Sequence, residues 1–113
     1  MDPATAHALL GSAQFLDVRR SHEYDAGHVD GAVWITLRDL PSRLDDVDRN
    51  RTVVVTCQIG QRSSVAAELL RTRGFDAYNL EGGIEAWTSA GFPLVASDGR
   101  SGRVIEGWAE TLD

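Results

Sequence analysis

Four short apolar stretches alternate along this chain with segments of helical spacing, and none of the four shows a strict apolar–polar alternation. They cover residues 15–18, 32–35, 52–56 and 75–80. Strands buried on one face only read as alternating, whereas strands covered on both faces lose that pattern. The intervening segments carry helix punctuation. Asp2-Pro3 precedes residues 4–10, which Gly11 ends. Ser21 caps a brief turn through Asp25, which Gly27 ends. Leu37, Leu40, Leu44 and Val47 are spaced helically around an interrupting Pro41. Val65, Ala66, Leu69 and Leu70 form one face of a longer helix, with Arg71 and Arg73 in its last turn and Gly74 beyond. Glu81-Gly82-Gly83 turns into a final short helix over 84–90, ended by Gly91. The pattern predicts an α/β domain with a mainly parallel central sheet flanked by helices on both faces.

In such sheets ligands sit beyond the carboxyl ends of the strands. Cys57, the only cysteine, falls at such an end. It follows Val53-Val54-Val55-Thr56 and opens the loop Cys57-Gln58-Ile59-Gly60-Gln61-Arg62-Ser63, after which the long helix begins. A free thiol has a pKa of roughly 8.5 and is only about 3% thiolate at pH 7. Loop N–H groups and the positive end of a helix both favour the thiolate, the reactive form. An inert, buried small hydrophobe is the alternative reading of a lone cysteine. A glycine three residues on and an arginine five residues on favour the reactive one.

Within that loop, the N–H groups from Gln58 to Ser63 can form a concave nest for a sulfur anion. Gly60 permits a positive φ. Arg62 can bind an oxyanion through charge-assisted hydrogen bonds, and a cation at a helix start runs against the dipole, which favours a functional role. Ser63 is expected at the helix N-cap. Gln58 and Gln61 are expected to face the pocket mouth and Ile59 to line it.

Composition narrows the function classes. The chain has 113 residues, enough for one domain with a real core. Its net charge of −6 argues against nucleic acid, and any anion must be bound locally. All eleven basic residues are arginine, which excludes lysine-based catalysis. One cysteine permits no intrachain disulfide. No apolar run approaches a membrane span, and the absence of Lys or Arg before Arg19 argues against a secretory signal. The expectation is a cytoplasmic protein with no membrane partner and no cofactor. His22 and His28 match no metal-ligand spacing, so no metal is expected, and His28 reads as a turn residue with a hydrogen-bonded ring. Asp17 and Arg19 lie near a strand end, where paired charges commonly hold loops; that structural reading is favoured over a catalytic one. Trp34 and Trp87 read as core or near-core aromatics.

Three segments, in order and with fitting gaps, resemble the rhodanese family. The first joins Leu16-Asp17-Val18-Arg19, Glu23-Tyr24 and Gly27-His28-Val29-Asp30-Gly31-Ala32. The second is residues 53–62, and the third runs from Gly74 through Gly82-Gly83 to Ala86-Trp87 and Gly91-Phe92-Pro93. The likeness covers residues 4 to 95 and is to single-domain sulfurtransferases. Val33-Trp34-Ile35-Thr36 stands where family members often have Asn-Ile-Pro, and residues 97–113 have no counterpart in the minimal domain. A rhodanese-like domain over 1–96 and a C-terminal tail over 97–113 are therefore expected.

The resemblance implies that Cys57 takes sulfur from a small anionic donor such as thiosulfate, becomes a persulfide, and yields the sulfur to an external acceptor, cyanide or a thiol. Residues 58–63 would bind the donor. A sulfur-carrier or protein-interaction module is the alternative, kept open by the tail, where Val104, Ile105 and Trp108 have the spacing of a docked helix or a partner-binding segment. A cysteine phosphatase fits worse. Its chemistry wants five residues between Cys and Arg, and here there are four.

Overall fold

The structure, a computed structural model, describes residues 1–105. Helix α1 (Pro3–Ala8) starts behind Asp2, whose carboxylate accepts the Thr5 N–H at 2.7 Å. Strand β1 (Gln14–Asp17) leads into α2 (Ser21–Ala26) and the two-residue β2 (Val33–Trp34). Two single 3₁₀ turns, Leu40–Ser42 and Leu44–Asp46, precede β3 (Val53–Thr56). Then come α3 (Gln61–Thr72), β4 (Ala77–Asn79) and α4 (Gly83–Ser89). The strands pair in parallel in the order β2-β1-β3-β4, the α/β architecture expected from the sequence.

Successive strand residues point to opposite faces, and both faces are covered. Leu16, Val53 and Val55 join Leu40, Ala66 and Leu70 in one core cluster, under α3 and the 3₁₀ turns. Phe15 and Val54 join Ala6, Ile84 and Trp87 in the other, under α1 and α4. This two-sided burial explains the missing alternation in β1 and β3, all of whose residues are buried.

Two local expectations change. The helical spacing from Leu37 to Val47 yields 3₁₀ turns instead of a helix, because Pro41 has no N–H to donate and only Leu40 is fully buried. Trp34 is not a core residue. It lies on the edge strand β2, 36% exposed, with its ring 5.5 Å from that of Tyr24 and its indole N–H donating to the Arg19 carbonyl. Residues 97–105 carry no helix. Val95 instead pairs antiparallel with His28, the Arg103 N–H donates to the Ala26 carbonyl, and Val104 packs on the second core cluster. Residues 106–113, Trp108 among them, on which the choice between a docked helix and a partner-binding segment turns, lie outside the described residues.

The chain reverses from β1 toward β2 on one side and from β3 toward β4 on the other. The connections leaving the paired carboxyl ends of β1 and β3 therefore diverge, which opens a crevice between them. Cys57 follows β3 at that crevice. Helix α4 reaches it from the opposite face, because Gly83 has φ +64° and no Cβ. A methyl group there would collide with the Gln58 carbonyl oxygen and lie 2.6 Å from that of Cys57. Gly91, at φ +89°, has nothing within 4 Å of its Cβ position. Gly83→Ala is expected to destabilise by about 2 kcal/mol or more and Gly91→Ala by about 1 kcal/mol, since only the first adds a collision to the φ penalty. Thermal melts of the two variants check this; equal losses would show that α4 can yield at that contact.

Candidate active site

Cys57 is fully buried, and its Sγ faces the first turn of α3. The N–H groups of Gly60 and Ser63 donate to it at 3.1 and 3.2 Å. The carbonyls of Cys57 and Gln58 turn away from the sulfur, toward α4. Ile84 N–H donates to the Cys57 carbonyl at 2.8 Å, and Glu85 N–H donates to that of Gln58 at 3.0 Å. The start of α4 thus takes up the loop's first two carbonyls while the loop's amide hydrogens point at sulfur.

Gly60 adopts φ 102°, the left-handed value that glycine tolerates, and is itself the N-cap of α3. Ser63 is therefore not the N-cap. The helix starts earlier than expected, and this rotates the Ser63 N–H toward Sγ. The Ser63 hydroxyl lies 3.1 Å from Sγ and donates to Asn79 Oδ1. The Asn79 amide is oriented by its Nδ2, which donates to the Gly60 carbonyl at 3.2 Å. With its one proton on Asn79, Ser63 presents an oxygen that can accept the Sγ–H of a neutral thiol. Asn79 lies within the third family-like segment, but the sequence assigns it no role. It arrives because β4 pairs with β3, Asn79 opposite Val55.

Arg62 is buried, and its guanidinium forms a two-pronged pair with Glu23 of α2: Nη1 to Oε2 and Nη2 to Oε1, both 2.8 Å. Glu23 Oε2 also accepts the Arg20 N–H at 2.9 Å. Burial by itself would push the Glu23 carboxyl up. The hydrogen bonds from Arg62 and Arg20, with the charges of Arg62 and Arg19, outweigh it and hold the group below its ordinary 4.5. These two nitrogens tie the loop to α2 and are not spread for an oxyanion. The sequence places Glu23 in the first of the three family-like segments but gives it no role, because its partner Arg62 is thirty-nine positions away.

The remaining residues divide by position. Gln58 is buried and turned from the mouth, its amide donating to Glu85 Oε2 at 2.9 Å and to the Ile105 carbonyl at 3.3 Å. Ile59 is 41% exposed and Gln61 is exposed. Asp17 and Arg19 form a buried pair at 2.7 Å, and Arg19 Nη2 also donates to the Gly27 carbonyl at 2.6 Å, fixing the end of α2. His28 stacks on Tyr24, with ring centroids 3.8 Å apart, and a ring nitrogen lies 2.7 Å from the Tyr24 carbonyl oxygen.

Residues 2–90 match the family model for the rhodanese-like domain. The chain belongs to the rhodanese-like family. Solved structures agree in fold. A rhodanese-related protein of Thermoplasma volcanium is 28% identical with a TM-score of 0.81, covering 84% of this chain and 95% of that one. A thiosulfate sulfurtransferase of Pseudomonas aeruginosa is 28% identical with a TM-score of 0.77, over 88% of this chain and 20% of that larger one. A Rhodopseudomonas palustris protein described as a possible tyrosine phosphatase is 26% identical with a TM-score of 0.74, over 82% of this chain and 81% of that one.

For this rhodanese-like domain the Glu23–Arg62 pair makes a stability prediction. Removing one partner leaves a buried charge uncompensated, so Glu23→Gln should cost about 3 kcal/mol near neutral pH. The carboxyl's folded pKa lies below its unfolded value, so its contribution is full above about 4.5 and is lost as pH falls through the folded pKa. Denaturant unfolding of both proteins between pH 7 and pH 3 should show the gap closing at the acid end; a constant gap would contradict the pairing.

Proposed function

We propose that this rhodanese-like domain transfers a sulfane sulfur from a small anionic donor such as thiosulfate to an external acceptor, with Cys57 as nucleophile and carrier. The observation that carries it is the pair of amide hydrogens from Gly60 and Ser63 on Sγ. Burial alone would push the thiol up. Hydrogen bonds to the charged form act the other way and stabilise the thiolate and then the persulfide anion. Donors that do not move cost little reorganisation as charge shifts between the two sulfurs.

In the first step the Cys57 thiolate attacks the outer sulfur of thiosulfate. A sulfur–sulfur bond forms, the donor's own sulfur–sulfur bond breaks with its electron pair leaving on sulfite, and Cys57 is left as a persulfide anion. In the second, cyanide or a thiolate attacks the outer sulfur, and the Cys57 thiolate leaves. Main-chain groups of residues 58–63 receive the donor, with the side chains of Ile59 and Gln61 at the mouth. Arg62 acts chiefly as a positioning residue that locks the loop to Glu23, and Asn79, by accepting the Ser63 hydroxyl proton, leaves the Ser63 oxygen facing sulfur as an acceptor for the thiol proton. No second cysteine is present to resolve the persulfide, so the acceptor comes from outside the chain.

A carrier role serving a protein partner draws on one further contact, the Ile105 carbonyl on Gln58, which brings the tail beside the loop. Phosphate-ester hydrolysis draws less support. Four residues separate Cys57 from Arg62, and both Arg62 Nη atoms are engaged by Glu23.

Intact mass after incubation with thiosulfate should show one added sulfur on the native protein, removed by cyanide, and none on a folded Cys57→Ser variant. Thiocyanate production by that variant at the native rate would refute the assignment. Removing residues 106–113 separates the two physiological roles. Unchanged thiosulfate-to-cyanide turnover with lost transfer to a protein acceptor would favour the carrier; equal effects on both would favour the small-molecule enzyme.

A further inference from the structure

Beside the Cys57 loop lies a cavity of about 210 Å³ lined by Val18, Arg20, Thr36, Leu37, Arg38 and Arg62. Three of the chain's eleven arginines converge there, no acidic side chain among the described residues lines it, and the protein as a whole carries a charge of −6. Glu23 balances Arg62 from behind. Arg38 is exposed and forms no ion pair among the described residues. The cavity therefore presents a local cationic surface on a chain whose net field repels anions. Val18 and Leu37 give it an apolar wall.

Its place in the fold defines what it can hold. Val18 directly follows β1, and the register Asp17↔Thr56 sets Val18 alongside Cys57. The Leu37 N–H donates to the Val18 carbonyl at 3.0 Å, so Thr36, Leu37 and Arg38 lie one strand further out. Neighbouring strands are about 4.8 Å apart, which puts this cationic surface roughly 5–10 Å to one side of the sulfur's strand. In thiosulfate the anionic oxygens sit on the atom bonded to the reacting sulfur, so that ion belongs within the loop. An anion held beside β1 and β2 must be joined to its reacting sulfur by a short carbon chain.

We infer that this cavity is the acceptor subsite, and that it takes the carboxylate of a small thiol acid, pairing it with Arg20 and Arg38 while the thiol reaches Cys57. The inference rests on the sulfur-transfer reading above. In the step concerned, the acceptor thiol gives its proton to solvent and the resulting thiolate attacks the outer sulfur of the Cys57 persulfide. A new sulfur–sulfur bond forms, the old one breaks, the Cys57 thiolate is released and the acceptor departs as its own persulfide, with no external oxidant or reductant. Val18 and Leu37 accommodate the spacer carbons.

The test compares 3-mercaptopropionate with 2-mercaptoethanol, similar thiols that differ in the carboxylate. With the native protein KM should be lower for the acid, and Arg38→Ala should cut that preference by about fivefold or more, as loss of one charge-assisted contact predicts. Added salt should shrink the native preference as well. A preference that is absent, or one unchanged in both Arg38→Ala and Arg20→Ala, would overturn the inference. Binding is followed separately with 3-(methylthio)propionate, which has the carboxylate but no reactive thiol. Its titration should move the amide resonances of Thr36 and Leu37 in the native protein and not in Arg38→Ala. Such shifts without any persulfide on Cys57 would keep the anion site and sink the sulfur-transfer reading. A persulfide on Cys57 without the shifts or the preference would do the reverse.

Discussion

The orientation of a few peptide groups governs this site. In the loop that joins β3 to α3, the carbonyls of Cys57 and Gln58 point away from the sulfur and are taken up by Ile84 N–H and Glu85 N–H. The N–H groups of Gly60 and Ser63 are left facing Sγ. A buried carbonyl without a donor would cost about 1–3 kcal/mol, so the start of α4 is what allows the loop to hold its hydrogens inward. Two glycines make the arrangement geometrically feasible. Gly60 turns the chain at φ 102°, and Gly83 lets α4 approach the loop closely enough to bond it.

The second constraint is lateral. The loops after β1 and β3 leave the sheet in opposite directions, and left alone the crevice between them would be free to widen. Glu23 on α2 and Arg62 on α3 close it with a two-pronged buried pair. A pair like this adds little net stability over apolar packing, since desolvation offsets most of the attraction. Its value lies in direction, because fork-to-fork hydrogen bonds tolerate little rotation. The same pair explains how a cation can sit at the start of α3 against the helix dipole.

Much of the fold was legible in the linear chain. The unalternated apolar runs reported strands covered on both faces. Gly27, Gly74 and Gly91 marked the ends of helices, and the positive φ of Gly60 was readable from its place in a strand-to-helix turn. Cys57 stood out for the same reason. The errors cluster where a residue's fate depends on a distant neighbour. Trp34 looks like a core residue until β2 proves to be an edge strand, and the leucine spacing after Leu37 looks helical until Pro41 breaks it into 3₁₀ turns. Gln58 is expected at the pocket mouth from its place in the loop, but Glu85 and Ile105 draw it aside.

Local order along the chain was enough to determine the alternation of elements, the membership in the rhodanese-like family and the placing of one thiol at a strand end, because those depend on neighbours within a turn or two. Folding in three dimensions decided which groups meet that thiol. Glu23 lies thirty-nine positions from Arg62 and Asn79 sixteen from Ser63, and their contacts follow from strand order and pairing register. Hydrogen bonds act over about 3 Å of space and take no account of separation along the chain.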